Sequence, residues 1–438
     1  MKKKISSWGQ KNKFLVNLSS PQDYKQLLKS IKSPSFIARG NGRSYGDSSI
    51  NYKNTINMLN FKKINSFDIE KGLITVEAGI LMRDLLPIIL EHNWFLPVTP
   101  GTKNVSAGGL IASNVHGKNH HKVGSFHNFI KWFNLLLPNG KIVKCSRQSN
   151  YKLFFWTIGG MGMTGIITTV AFSLKRINCD KLLTKTITFN NIEETIRSFD
   201  KYQDWDYSVA WVDLANKKKI GKSVLILANH IKKKTKIENY TFNKTSNLFF
   251  LTFLSPFFNN VFIKIFNSIY FFLNSSKRQK QEIMSIDNYF YPLDKINNWN
   301  DIYGKNGLVQ YQFVLPEKKF KTAIYEILDL INNSKIAPKL VVLKKMANET
   351  RKGISFPMRG YTMALDFSYS NNVSQLFKSF DSIIMKYKGR IYLTKDYLID
   401  KESIYKMDPA MLKFKKFLKN KSYYLKINSL QFKRFGFK

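Results

Sequence analysis

Two glycine-rich segments hold the residue types that could do chemistry. They are R-G-N-G-R-S-Y-G-D at Arg39–Asp47 and P-G-T-K-N-V-S-A-G-G-L-I-A-S-N-V-H-G-K-N-H-H at Pro100–His121, about sixty residues further on. A glycine lacks Cβ, so its main chain can approach a phosphate or a planar ring closely and offer N–H groups to negative charge. Neither segment is a P-loop, which needs G-x-x-x-x-G-K-[ST] between strand and helix. Neither is the G-x-G-x-x-G fingerprint that opens a βαβ unit. In the first, Gly40, Gly42 and Gly46 form a turn that can grip a pyrophosphate without a lysine. In the second, Gly101, Ser106, Ala107, Gly108 and Gly109 bring main chain to the same kind of group. Leu110–Val115 is predicted as a short helix whose N-terminal dipole favours it.

His116, His120 and His121 fall within six residues and raise the question of a metal. Gly117 and Asn119 break helical i,i+4 presentation, and no neighbouring cysteine or carboxylate completes a ligand set, so no metal is expected. His116 is expected beside a bound ring. His120 and His121 are expected to hold the loop through hydrogen bonds.

The elements around these segments alternate short strands and helices. Ser35–Arg39 and Leu73–Ala78 read as strands, Pro21–Ser30 and Leu81–Glu91 as helices, and Asn139-Gly140 as a hairpin turn between Phe133–Leu137 and Ile142–Cys145. A third glycine cluster, Trp156–Ile167, leads into the apolar strand Ile166–Leu174. Beyond Arg176 glycines thin out while aromatics and lysines increase, which marks a domain boundary near 175–180. The second part mixes strands (Ser208–Asp213, Ser223–Leu227, Gly307–Leu315, Tyr361–Asp366) with helices (Glu317–Asn332, Val373–Tyr387). The pattern is α+β.

These motifs, in this order, resemble the FAD-binding, PCMH-type domain of the vanillyl-alcohol-oxidase superfamily. Within it the chain is similar to the branch of oxidase subunits of decaprenylphosphoryl-β-D-ribose 2′-epimerases. The similarity runs from Trp8-Gly9 to about Asp396. It takes in G-R-S-Y-G-D, P-G-T, H-G-K-N-H-H with Gly124-Ser125-Phe126, G-G-M-G-M-T-G-I-I, A-W-V-D at Ala210–Asp213, and Q-Y-Q-F-V-L-P at Gln310–Pro316. It continues through V-L-K-K at Val342–Lys345, S-F-P at Ser355–Pro357 and Y-L-T-K-D at Tyr392–Asp396. The resemblance implies a two-lobed FAD-binding domain (1–177), a substrate or cap domain built on an antiparallel sheet with flanking helices (178–389), and a C-terminal segment (390–438) returning to the first domain.

Position by position, the resemblance implies FAD contacts at Ala38, Arg39, Gly40, Asn41, Gly42, Arg43, Ser44, Tyr45, Gly46 and Asp47. It implies further contacts at Gly101, Ser106, Ala107, Gly108, Gly109, Ser113, Asn114, His116, Ile166, Ile167 and Tyr392. Many relatives attach FAD through a histidine in the first loop. Arg43 stands there here, so non-covalent FAD is expected. Lys395 suits the positive charge that stabilises an anionic reduced ring, and His116, or Tyr45, is the candidate base. Trp211, Gln310, Gln312 and Lys344 would line the substrate pocket, with Lys118 at its mouth. Alternation in Gln310-Tyr311-Gln312 turns both amides to one face of a strand; core packing explains Trp211 equally well. Ala364 stands where the resembled enzymes have a pocket cysteine.

The implied activity is oxidation of a sugar ring hydroxyl to a ketone, on a polyprenyl-phosphate-linked pentose used in cell-envelope polysaccharide synthesis, with a short-chain reductase as partner. A soluble alditol or aldonolactone oxidase of the same fold is the alternative. A basic membrane- or nucleic-acid-binding protein without flavin is the alternative of another class.

Composition bounds these readings. With 438 residues, 44% of them apolar, the chain can bury real cores. The formal charge of +41 comes from lysines spread along the whole length, so a solvated basic surface is the first expectation, contact with an anionic membrane the second, and nucleic acid the least. Cys145 and Cys179 have no metal spacing and are expected to be reduced thiols. Lys2-Lys3-Lys4 is followed by Ser6-Ser7-Trp8-Gly9 rather than an apolar core, so a cytoplasmic protein is expected, with the inner face of the plasma membrane as its peripheral site. Leu248–Leu273 is Phe-rich but interrupted by Pro256, Lys264 and Asn267. It is expected to form a buried helical hairpin or, alternatively, a flap that touches lipid.

Overall fold

The structure is a computed structural model that describes all residues except 217–220, 234, 236, 238–239, 243–258, 276–279, 335, 421 and 438. Helices and sheets are mixed, as the α+β pattern requires. The first part of the chain forms two sheets. Strands β1 (Lys2–Ser6), β2 (Lys13–Ser19), β3 (Ile37–Arg39) and β4 (Thr55–Asn57) pair in the order β1-β2-β4-β3, with β4 parallel to both of its neighbours. Strands β5 (Ile64–Asp68), β6 (Leu73–Glu77), β8 (Ile130–Leu136), β9 (Ile142–Ser146) and β10 (Ile166–Ser173) form an antiparallel sheet ordered β5-β6-β10-β8-β9. A short pair, β7 (Trp94–Phe95) with β11 (Lys175–Arg176), closes this part. Pro21–Ser30 was expected as a helix; Tyr24–Ser30 forms it, capped by Asp23, whose carboxylate accepts from Gln26 N at 2.8 Å.

From Lys181 the chain builds one eight-stranded antiparallel sheet from β12 (Lys181–Phe189), β13 (Tyr207–Asp213), β14 (Lys222–His230), β15 (Gln281–Ser285), β16 (Leu308–Pro316), β17 (Leu340–Met346), β18 (Gly360–Ser368) and β19 (Arg390–Ile391). The order is β15-β12-β14-β13-β17-β18-β16-β19. Its two faces differ because side chains alternate along a strand. Tyr311 and Tyr361 point to one face, where Phe377 and Phe380 of helix Asn371–Lys386 and Phe320 of helix Glu317–Ser334 pack on them at ring distances of 4.8, 5.2 and 5.0 Å. Gln310 and Gln312 therefore turn to the other face, toward the glycine loops.

Two sequence expectations are revised. The helix expected at Leu110–Val115 spans Ala107–Ala112, because the Ser106 side chain caps it by accepting from Gly109 N at 3.3 Å and Asn114, at φ 39°, ends it. The described half of the Phe-rich segment is not buried. Helix Asn260–Ser275 buries Ile263 and Asn267 and leaves most of its apolar side chains exposed, while 243–258 lies outside the described residues. The lysine-rich tail makes main-chain and ionic contacts with the first part of the chain. Phe36 N donates to Lys426 O (2.9 Å), Leu430 N to Ile50 O (2.9 Å), and Arg434 pairs with Asp47 and Asp396 at 3.2 and 3.0 Å.

Candidate flavin and substrate site

The two glycine loops, far apart in sequence, meet in space. Asn41 Nδ2 donates to Asn104 O at 2.8 Å, and a Cβ on Gly40 would sit 2.3 Å from Ser106 Oγ, so the loops touch where the chain has no side chain to separate them. The second loop is seated on the turn after β6, with Gly108 N donating to Ala78 O (2.8 Å) and Ala107 N to Ile80 O (3.0 Å). The first loop is tied to the C-terminal segment, because Tyr45 N donates to Thr394 O at 3.0 Å. Together the loops, β16–β18 and Tyr392–Lys395 enclose a cavity of about 340 Å³.

Period-two alternation on three neighbouring strands builds the cavity floor. Gln310 lies opposite Asp366 and Asp366 opposite Leu340; Gln312 lies opposite Ala364 and Ala364 opposite Val342; Lys344 lies opposite Thr362. Residues directly opposite share a face. All of these except Thr362 line the cavity, and so do Ala38, Gly40, Asn41, Gly42, Arg43, Ser44, Tyr45, Gly101, Ser106, Gly108, Gly109, Ser113, His116, Ile167, Tyr392 and Lys395.

Other residues expected in contact stand behind the wall. Arg39 donates to Ser6 O (2.6 Å) and Ser49 Oγ (3.2 Å), bracing the first loop. A Cβ on Gly46 would meet Asp396 O at 1.9 Å, so this glycine admits the tail rather than a ligand. Asp47 faces Arg434. Ala107 is buried beneath its own helix, and Ile166 pairs with Leu136 inside the sheet. Asn114 donates to Ser355 Oγ at 2.5 Å. Lys118 is half-buried, donates to Tyr289 O, lies 4.2 Å from the Tyr289 ring centroid and does not line the cavity. Trp211 stands on the cavity face of the sheet, opposite Val342, but packs on Tyr270 at 4.9 Å, because helix Asn260–Ser275 covers that end of the row.

The hydrogen bonds determine the state of His116. Thr362 Oγ donates to Phe313 O at 2.8 Å, so toward Gln312 it can only accept, and Gln312 Nε2 donates to it at 3.1 Å. The same Nε2 lies 3.0 Å from His116 Nε2, which must accept. Burial, reinforced by Lys344, His120 and Lys395, holds the His116 pKa well below the ordinary histidine range. The ring is therefore neutral with its proton on Nδ1, and that buried nitrogen has no hydrogen-bond partner among the described residues. His120 and His121 hold the loop. His120 Nε2 lies 3.0 Å from Glu349, which also meets His127 at 2.8 Å, and His121 Nε2 lies 2.9 Å from Trp205 O.

Asp366 is a cavity residue that motif reading passed over. Its carboxylate accepts from Gln310 Nε2 and, at 3.5 Å, from Tyr303 OH. Its position two residues after Ala364, opposite Gln310, is the alternation signal that could have found it. Burial raises its pKa, while burial and Lys344 lower that of Lys395 against the pull of Asp366. Lys395 Nζ lies 3.6 Å from the centroid of Tyr45, whose phenol burial keeps protonated. Burial brings Lys344 down to about 8. Trp8 and Trp299 add an aromatic rim, with the Arg43 guanidinium 4.1 Å from the Trp8 ring centroid. Asp294 accepts from Thr102 Oγ and Lys103 N, each at 2.7 Å, at the same rim.

This geometry fits a flavin dinucleotide: two glycine loops in contact, and the unpartnered, buried His116 Nδ1 and Arg43 Nε beside the cavity. Residues 13–146 match the family described as FAD binding domain. The chain carries this domain and is an FAD-dependent oxidoreductase. It is 28% identical over 431 residues, 93% of this chain and 92% of the other, to decaprenylphosphoryl-beta-D-ribose oxidase of Mycolicibacterium smegmatis. It is 29% identical over 153 residues to D-lactate dehydrogenase of Anaerostipes hadrus (34% of this chain, 32% of that protein). It is 34% identical over 131 residues to L-gulonolactone oxidase of Bos taurus (30% of each).

Proposed function

We propose that the protein oxidises a ring hydroxyl of a polyprenyl-phosphate-linked pentose to a ketone, with non-covalent FAD, as the oxidase half of a 2′-epimerisation in cell-envelope polysaccharide synthesis; a short-chain reductase would return hydride to the opposite face. The observation that carries this reading is the cavity itself, where glycine loops, two amides and half-buried cations converge. Likeness to decaprenylphosphoryl-beta-D-ribose oxidase over nearly the whole of both chains supports the substrate class. Likeness to L-gulonolactone oxidase covers under a third of either chain, so the soluble-sugar alternative has less behind it.

Bound FAD supplies the acceptor for the hydride leaving the carbinol carbon. Ala38, the Gly40–Tyr45 turn and Gly101, Ser106, Gly108 and Gly109 hold it, with Ser113, Ile167 and Tyr392 beside them. Arg39, Gly46, Asp47, Ala107, Asn114 and Ile166 support the walls. Arg43, unlike a histidine, forms no covalent link. Gln310 and Gln312 orient sugar hydroxyls, and Lys344 neutralises the phosphate. Lys118 and Trp211 back this wall without reaching the sugar.

The hydroxyl proton goes to the Lys395–Asp366 pair. Burial lowers the Lys395 proton affinity, so its neutral amine can accept the proton on Nζ, and Asp366 favours the ammonium that forms. His116 is not the base in this scheme: its Nε2 lone pair is engaged by Gln312, and its Nδ1–H is a neutral donor aimed at a bound ligand. Tyr45, held protonated, shields Lys395 from water.

Anaerobic bleaching of the bound flavin across polyprenyl-phosphate pentoses and free alditols tests the assignment. Bleaching by the lipid-linked sugars alone is expected; turnover of free alditols with peroxide release would overturn it. Acid precipitation should release the yellow colour into the supernatant.

A further inference from the structure

Helix Asn260–Ser275 has two unlike sides and neither is ordinary for a protein surface. One side carries Ile263, Asn267 and Tyr270 against the sheet; Asn267 Nδ2 donates to Asp213 Oδ1 at 2.7 Å and Tyr270 meets Trp211. The other side presents Val261, Ile265, Phe266, Ile269 and Phe272, exposed by 63, 55, 51, 54 and 73%. A water-facing helix surface normally carries charge there. This helix contains no Asp or Glu.

Its position matters as much as its composition. Gln312, Ala364, Val342 and Trp211 form one row across four strands on the cavity face of the sheet, and Tyr270 continues that row. The helix that carries the exposed apolar side therefore lies at the end of a row of side chains that begins at the cavity. Cations lie along one flank of the helix. Lys264 is exposed on the helix, Lys222 Nζ lies 4.3 Å from the Phe271 ring centroid, Lys339 Nζ donates to Asn260 Oδ1 at 3.4 Å, and the whole chain carries a formal charge of +41. At 16 residues the helix is about 24 Å long at 1.5 Å per residue, short of a bilayer's hydrocarbon core, and among the described residues no helix is long and apolar enough to cross a membrane. An apolar helix side flanked by lysines suits a headgroup boundary, with the axis in the membrane plane.

We infer that the exposed side of Asn260–Ser275 docks this enzyme on an anionic phospholipid surface, holding the cavity beside the bilayer in which a polyprenyl chain is dissolved. This inference rests on the proposed lipid-linked substrate for its purpose, and on the helix and the surrounding charge for its existence.

The test is flotation of the full-length, flavin-loaded protein with phosphatidylglycerol–phosphatidylcholine vesicles and with phosphatidylcholine alone. The comparison is the triple variant Ile265→Glu, Ile269→Glu, Phe272→Glu, whose changes all lie on the exposed side. Wild-type protein is expected to float with the anionic vesicles only, and the variant to lose at least about tenfold in bound fraction. Flavin content and anaerobic reduction by a short-chain, soluble pentosyl phosphate should be unchanged by the variant, and this arm reads the active-site proposal separately. Equal flotation of wild type and variant, equal flotation on neutral vesicles, no flotation of wild type, or a wild-type dimer in sedimentation that the variant abolishes would each overturn the inference.

Discussion

Lys395 and Asp366 line the same cavity, and each is pushed by burial toward its neutral form. Replacing Lys395 with Met should leave FAD bound, measured by the flavin absorbance of the purified protein, while slowing anaerobic flavin reduction by about 10²–10⁴-fold, the usual reach of a positioned acid–base group. Asp366 holds the Lys395 pKa up, so Asp366→Asn should move the rising limb of the reduction rate to lower pH; an unmoved limb would separate the two groups. Lys344 works differently. With its pKa near 8, its ammonium is lost as pH rises through that value, so affinity for a phosphorylated sugar should weaken above about pH 8. Lys344→Gln should bind about tenfold more weakly, about 1.4 kcal/mol, and show no such dependence in titrations of ligand-induced flavin spectral change.

At the scale of elements, the site depends on loops that approach where side chains are missing. A methyl at Gly40 would collide with Ser106 Oγ, and that oxygen also caps helix Ala107–Ala112. Gly40→Ala should therefore cost both the fit of the loops and the cap, with most of the flavin lost on gel filtration. Ser106→Ala alone should lower stability by about 1 kcal/mol in a denaturant titration, the typical worth of a cap, and retain flavin. The double variant removes the colliding oxygen and should recover part of the flavin lost in Gly40→Ala. Strand alternation works at the same scale. Because β16, β17 and β18 are covered by helices on one face, every second residue is committed to the cavity, which puts Gln310, Gln312, Val342, Lys344, Ala364 and Asp366 together.

At the scale of the molecule, the C-terminal tail closes the fold. Arg434 reaches both Asp47, behind the first glycine loop, and Asp396, next to Lys395. Removing it leaves two largely buried carboxylates without their cation, so Arg434→Ala should destabilise by about 3–5 kcal/mol in equilibrium unfolding, far more than a surface pair would. The flavin should loosen at the same time, because both loops that meet the tail also bound the cavity.

What the amino-acid sequence by itself determined is what short spacing determines: the glycine turns, the alternation that sends Gln310 and Gln312 to one face, the change of composition near residue 177, and the motif order that pointed to FAD. Tertiary structure decided the rest. Thr362, Gln312 and His116 are far apart in the chain, so the proton on His116 Nδ1 follows only once their bonds are made. Asp366 matters through neighbours on other strands, and Trp211, on the expected face, is withheld from the cavity by a helix fifty residues later. Main-chain conformation responds to local residue type, whereas desolvation and hydrogen-bond partnership depend on which distant segments finally exclude water from a group.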